Sequence, residues 1–350
     1  MLGSKGSCTT WEKLRQYNNL LNIRYLGQYI SQFRRLHPIA IDFNLVKGWH
    51  LSLKQLFQYQ TIAELSHFLQ YGGERTANQP SKVRNPLRCL VPFSVDHRKI
   101  PFFCVHPITG HVHSYYELAQ KIQTKYRFIG IQSPMVDIDP PFFNNLETLA
   151  QHYVEAVQAE QSHGPYHLGG WSLGGLIAYE MAQILKKQKE EVQCLIIMDK
   201  DAYPYPFVHQ DEHLLTYLFE EEEVPQEESF LQMNSTDQLN WLLSQHQVKE
   251  RYNNNDPGWI KQHLEIIRDH IRLMSKHILQ PYEGHLTVIS SEDTANKTGN
   301  DPALGWRKLA KSVRAITVPG NHDSFIQEPL VERLASEILQ NSPIINEVNT

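Results

Sequence analysis

The stretch "GGWSLGG" around Ser172 sets one serine among clustered glycines, between an apolar run and a helix-like pattern. A serine hydroxyl is a weak nucleophile at neutral pH, so it needs a base to take its proton and an acid to orient that base. Both residue types follow it in the chain. "VQCLIIMDKDAY" ends an apolar run in Asp199, and "RAITVPGNHDSF" ends another in a Gly-Asn turn followed by His322. With a serine on a strand-to-helix elbow of an open α/β sheet, the chain order is serine, acid, histidine, gathered at the carboxyl ends of the strands.

A negative oxygen developing on the attacked group needs backbone donors. The N–H of Leu173, directly after the serine, is one candidate; the other is Ile108, after the His-Pro pair of the loop "CVHPITGHVHSYY". The acid has rivals. Asp201 lies two residues beyond Asp199, and Glu292 and Asp293 follow the strand-like run "HLTVISS". A glycine cluster alone would equally suit a tight strand-to-helix crossing. His106, His111 and His113 share one loop; with no cysteine or acid at ligand spacing they read as loop and pocket histidines, with no metal expected.

The elements that must position these residues alternate along the second part of the chain. "PFFCVHP", "YRFIGIQSP", "YHLGGWS", "VQCLIIMD" and "HLTVISS" read as short buried strands, separated by helical stretches such as 146–161 and 173–188. That alternation predicts a doubly wound, mostly parallel α/β sheet. Residues 203–278 form a long insertion with no strand-like run. In it Ile260, Leu264, Ile267, Ile271, Met274 and Ile278 recur at steps of three and four, predicting one long amphipathic helix and a helical lid over the sheet edge.

Residues 73–88, "GERTANQPSKVRNPLR", mix glycine, proline and charge without an apolar period and read as a linker. Before it, residues 1–72 carry helical spacing, with Thr61 and Glu64 placed as a capping box. A formal charge of −5 gives no basic field for nucleic acid. The four cysteines have no CxxC spacing; Cys104 and Cys194, inside strand-like runs, read as buried thiols. No apolar run is long enough to span a bilayer and no signal peptide is visible, so a cytoplasmic setting without membrane partners is expected.

"PFFCVHPITGHVHSYYELAQKI", "GPYHLGGWSLGGLIAYEMAQIL", "LIIMDKDAYP" and "VPGNHDSF" together resemble the type I thioesterase domains that end nonribosomal peptide and polyketide assembly lines, over about residues 86–342. The resemblance implies an α/β-hydrolase fold across 89–350 with a lid at about 203–278. It implies that Ser172 accepts an acyl chain from a phosphopantetheine thioester, with His322 as base and Asp199 as acid. The partner would be an acyl or peptidyl carrier protein, with no cofactor bound by this chain. Release would follow by hydrolysis or cyclisation; transfer to another acceptor uses the same acyl-enzyme, and a non-catalytic docking protein is the reading from another class. The N-terminal module resembles a carrier protein, but Asn19 stands where the carrier serine would be, and an amide cannot take up phosphopantetheine; this implies a degenerate carrier.

Overall fold

The computed structural model describes residues 89–94, 96–136, 143–202, 232–246 and 257–341, together with Leu214, Leu218, Phe230 and Val248. The chain divides into two units, Met1–Asn78 and Gln79–Thr350, and every described residue belongs to the second. The expectations for the module at 1–72, including Asn19, Thr61 and Glu64, and for the linker at 73–88 therefore lie outside the described residues.

Among the described residues the strands are β1 (Leu90–Pro92), β2 (Ile100–Val105), β3 (Tyr126–Ile131), β4 (Tyr166–Trp171), β5 (Val192–Met198), β6 (Tyr282–Ser291) and β7 (Ala310–Val318). They form one seven-stranded sheet in the order β1-β3-β2-β4-β5-β6-β7. Only β1 runs antiparallel, against β3; the other neighbours are parallel. In β2, Phe102, Phe103, Cys104 and Val105 are all fully buried. Successive strand residues point to opposite faces, so both faces of the sheet are covered, as parallel sheets require.

The covering helices are α1 (Tyr116–Ile122), α2 (Leu146–Glu160), α3 (Leu173–Lys187) and α7 (Val331–Asn341), with α4 (Ser235–Ser244), α5 (Pro257–Ser275) and α6 (Glu292–Lys297) between α3 and α7. α2 packs on α3, and α1 on α7. Asn145 opens α2 through a capping box with Thr148, which satisfies two otherwise unpaired backbone groups. Cys104 and Cys194 are buried free thiols, and burial pushes the Cys194 thiol up to about 12.

The described residues of the insertion are mostly helical and hold their own apolar cluster. Ile260, Leu264, Ile267 and Ile271 of α5 pack there with Leu239 and Leu242 of α4 and with Phe230. Leu273 and Met274, at the end of α5, join the main core instead. The helix stops at Ser275, so Ile278 does not continue the stripe predicted for it; it is 74% exposed. The chain leaves the helix there because the next residues are needed elsewhere. His277 turns inward, its Nε2 2.9 Å from Glu180 Oε1 on α3 and its Nδ1 3.3 Å from Glu147 Oε1 on α2. Among the described residues no helix is long and apolar enough to cross a membrane.

Candidate active site

From β2 the chain crosses to β3 on one side, and from β3 it returns to β4 on the other. The crevice between β2 and β4 is thus the point where the winding reverses, the usual ligand position in open α/β sheets. β4 ends at Trp171, Ser172 forms the turn, and α3 begins at Leu173. Ser172 has φ 56° and ψ −129°, a strained conformation for a residue with a Cβ. The turn is held by main chain: the Ser172 N–H donates to the Met198 C=O at 2.9 Å, and the Gly175 N–H to the Ser172 C=O at 2.9 Å. It closes only because glycine flanks it. A Cβ on Gly170 would run into the Gly174 backbone, and one on Gly174 into the Val105 and His106 carbonyls.

The buried Tyr115 hydroxyl ties this corner to β2, donating to the Val105 C=O at 2.5 Å and accepting from the Trp171 N–H at 2.9 Å. Past Val105 the chain makes a tight turn, in which the Gly110 N–H donates to the Pro107 C=O at 3.0 Å. Ile108 lies in that turn, just past the Val105 and His106 carbonyls that approach Gly174 of α3. Neither the Ile108 nor the Leu173 N–H has an acceptor among the described residues.

Asp199 follows β5 directly, with φ 50°, a left-handed value that aspartate tolerates better than most residues. Its carboxylate is caged by groups from the end of β6, from α6 and from the loop after β7. Oδ1 accepts the Ser291 N–H at 2.6 Å. Oδ2 accepts the Thr294 hydroxyl at 2.8 Å, lies 3.1 Å from the Ser291 hydroxyl, and accepts the His322 Nδ1–H at 2.9 Å. Burial pushes this carboxyl up, but the bonds from His322, Ser291 and Thr294 outweigh it, and the group sits below the ordinary aspartate value.

His322 follows β7, and its side chain is 41% exposed. The loop is set by Asn321, whose Oδ1 accepts the N–H groups of Asp323 and Ser324 at 3.1 and 2.9 Å. The imidazole lies 5.3 Å, centroid to centroid, from Trp171, the residue before Ser172. Histidine and acid are therefore joined by a hydrogen bond, with the ring against the end of the serine's strand.

The rival acids go elsewhere. Asp201 pairs with the buried Lys200 ammonium at 2.7 Å. Asp293 pairs with Lys297 at 3.0 Å on α6, and Glu292 is exposed. The end of β6 serves the site through Ser291 and Thr294, which sequence reasoning missed. The signal was present in "SEDT": Ser291 is the N-cap of α6 and accepts the Thr294 N–H at 3.2 Å.

The loop histidines meet α5. His106 is fully buried and stacks on His270 at 4.8 Å; His111 stacks on His263 at 5.6 Å and lies 5.7 Å from His113. Among the described residues no three His, Cys, Asp or Glu side chains are grouped to hold a metal ion.

A mostly parallel seven-stranded sheet, with a serine on a strand-to-helix turn at its reversal point, defines the α/β-hydrolase fold. The Thioesterase domain family matches residues 100–341, and the chain belongs to that family. A dimodular nonribosomal peptide synthase of Bacillus subtilis is 35% identical over 161 residues, 46% of this chain and 6% of that relative. Polyketide synthase PksR of the same organism is 32% identical over 147 residues, 42% of this chain and 6% of that relative. The chain thus matches a small fraction of these relatives' length. A Vlm2 thioesterase domain bound with a dodecadepsipeptide shares the fold at a TM-score of 0.55 and 19% identity, covering 74% of this chain and 99% of that one.

Proposed function

We propose that the chain releases an acyl, peptidyl or polyketide chain from a phosphopantetheine thioester through an acyl-Ser172 intermediate. The observation that carries the reading is the hydrogen bond from His322 Nδ1 to the caged Asp199, beside the strained turn of Ser172. Asp199 accepts the hydrogen bond from Nδ1–H, which leaves Nε2 as the base. Ser172 Oγ bonds to the thioester carbonyl carbon as His322 takes its proton. The C–S bond then breaks, and the thiol of the pantetheine arm leaves with that proton. The N–H groups of Ile108 and Leu173 hold the oxyanion, each contributing roughly 3 to 4 kcal/mol to the transition state.

Release follows when water, or a nucleophile within the acyl group itself, attacks the acyl-serine carbonyl: His322 takes the nucleophile's proton, the bond to Ser172 Oγ breaks, and the proton returns to that oxygen. The partner in this reading is a carrier protein that presents the arm, and the chain needs no resident cofactor. The names of the synthase relatives and the dodecadepsipeptide of the Vlm2 domain support such a substrate class. Incubation with a fluorophosphonate and mass spectrometry should place a single adduct on Ser172, absent from Ser172→Ala. An unmodified Ser172, or an adduct that persists in the alanine variant, would remove the acyl-serine mechanism.

A further inference from the structure

The turn after β2 is gripped by more donors than closure requires. The Gly110 N–H bond to the Pro107 C=O closes it, and the Ser133 N–H holds the Gly110 C=O at 2.9 Å. Two imidazoles add a second donor to the Pro107 C=O and a donor to the Ile108 C=O. His106 Nδ1 is 2.7 Å from the Pro107 C=O, and His270 Nδ1 is 2.7 Å from the Ile108 C=O. A carbonyl only accepts, so each ring carries a proton on Nδ1. Burial holds both rings below the ordinary histidine range, and for His106 the neighbouring His270 adds to it. Each Nε2 is then an acceptor, served by the Tyr153 hydroxyl at 2.7 Å for His106 and the Ser133 hydroxyl at 3.2 Å for His270. The two rings stack with planes 21° apart.

Peptide planarity converts that grip into an aim. The Pro107 C=O and the Ile108 N–H belong to one planar trans unit and point in opposite directions. A donor fixed on the oxygen therefore sets the direction of the N–H, and by polarising the amide it strengthens that N–H as a donor. His270 holds the Ile108 C=O of the following plane, and so fixes the other side of the Ile108 Cα about which the first plane could turn. We propose that His106 and His270 are positioning residues that aim the Ile108 N–H at the oxyanion. This rests on the acyl-serine reading of Ser172. His106 belongs to the end of the sheet and His270 to α5 of the insertion, and the Ile108 side chain packs against the clusters of both. The aim of the donor is thus shared between the body and the insertion.

The test compares His106→Phe, His106→Asn, His270→Phe and His270→Asn on an acyl N-acetylcysteamine thioester and on a trifluoromethyl ketone bearing the same acyl chain. Phenylalanine keeps a ring without a donor; asparagine keeps a donor near the Nδ1 position. A misaimed oxyanion donor costs transition-state binding alone, so each Phe variant should lose about 10- to 100-fold in kcat with KM within about twofold. Affinity for the ketone should fall by the same factor, and the Asn variants should recover most of both. Ketone affinity and kcat are taken per folded molecule; if His106→Phe does not fold, the His270 pair and His106→Asn decide the matter. Phe variants with wild-type kcat and ketone affinity would overturn the proposal, as would Asn variants no better than Phe. Those results count only against the positioning role when the wild type turns over and labels at Ser172. A wild type that does neither fails the acyl-serine reading instead.

Discussion

Ser172 and Asp199 stand at the ends of adjacent parallel strands, both with left-handed φ, yet the groups that hold them differ. The serine corner is built from main chain: backbone hydrogen bonds, and glycines packed too close for any Cβ. The acid corner adds side chains to its backbone bonds: beside the Ser291 N–H, two hydroxyls and an imidazole converge on one carboxylate. A corner made of backbone has no partial states, because an added methyl displaces a strand or a helix. A corner made of side-chain donors can lose them one at a time. The first should fail in folding, and the second in graded chemistry.

The largest expected effect is at the carboxylate itself. Asp199→Asn places an amide against His322 Nδ1 and favours the tautomer whose Nε2 cannot act as base, so kcat/KM should fall about 10⁴-fold. Steady-state kinetics on an acyl thioester checks this, with circular dichroism to show a retained fold. Gly174→Ala should instead strike stability, by about 3 kcal/mol or more, because the methyl meets the Val105 and His106 carbonyls. Thermal melting, or the soluble fraction on expression, reads it. A folded, merely slower Gly174→Ala protein would break the distinction between the corners.

Thr294→Val sharpens the same contrast. It removes one donor from Asp199, a bond of about 1.5 to 3 kcal/mol when the acceptor is charged. The Thr294 hydroxyl helps keep that carboxyl below its ordinary value, so its loss raises the pKa. Stability from a depressed carboxyl is present above its unfolded pKa and lost as pH falls through the folded one. The variant should therefore lose stability at a higher pH than wild type, and the acid limb of its pH–rate profile should move up. Superimposable profiles would show that the cage does not act through the carboxylate.

The smallest effect lies behind α3. Burial pushes the His277 imidazole down, but Glu180 and Glu147 overcome it and hold it above the ordinary value of 6.5. Stability from a raised histidine is fully present below the unfolded value and is lost as pH rises through the folded one. His277→Gln should lower Tm by roughly 2 to 4 °C at about pH 6, the shift expected of about 1 kcal/mol in a domain of this size. At about pH 9 the difference should narrow. An equal gap at both values would mean that packing, not charge, holds α5 to α3.

Strand ends were legible in the sequence because an apolar run that stops at a polar residue marks the place where a buried strand meets solvent. That pattern located Ser172, Asp199 and His322 along the chain, and it located every strand but the three-residue β1, too short to carry a pattern. The surroundings of those residues were not legible. Ser291 lies 92 residues from Asp199, and only the folded sheet makes them neighbours. The stripe through α5 was legible, but its end was not, since His277 is drawn out of the helix by two carboxylates on other elements. His263 and His270, seven residues apart, mark a second face of α5 that apolar spacing passes over.

The Tyr115 hydroxyl stands where β2 and β4 would otherwise place their next rung. Two hydrogen bonds in series through one oxygen span up to about 5 Å, where a direct N–H to C=O bond spans about 3 Å. The phenol oxygen thus acts as a spacer that fixes how far the two strands diverge at the point where the winding reverses. The width of the crevice is set by the reach of one side chain, and a change at Tyr115 would alter the clearance between the turn of Ser172 and the turn of Ile108 without touching either.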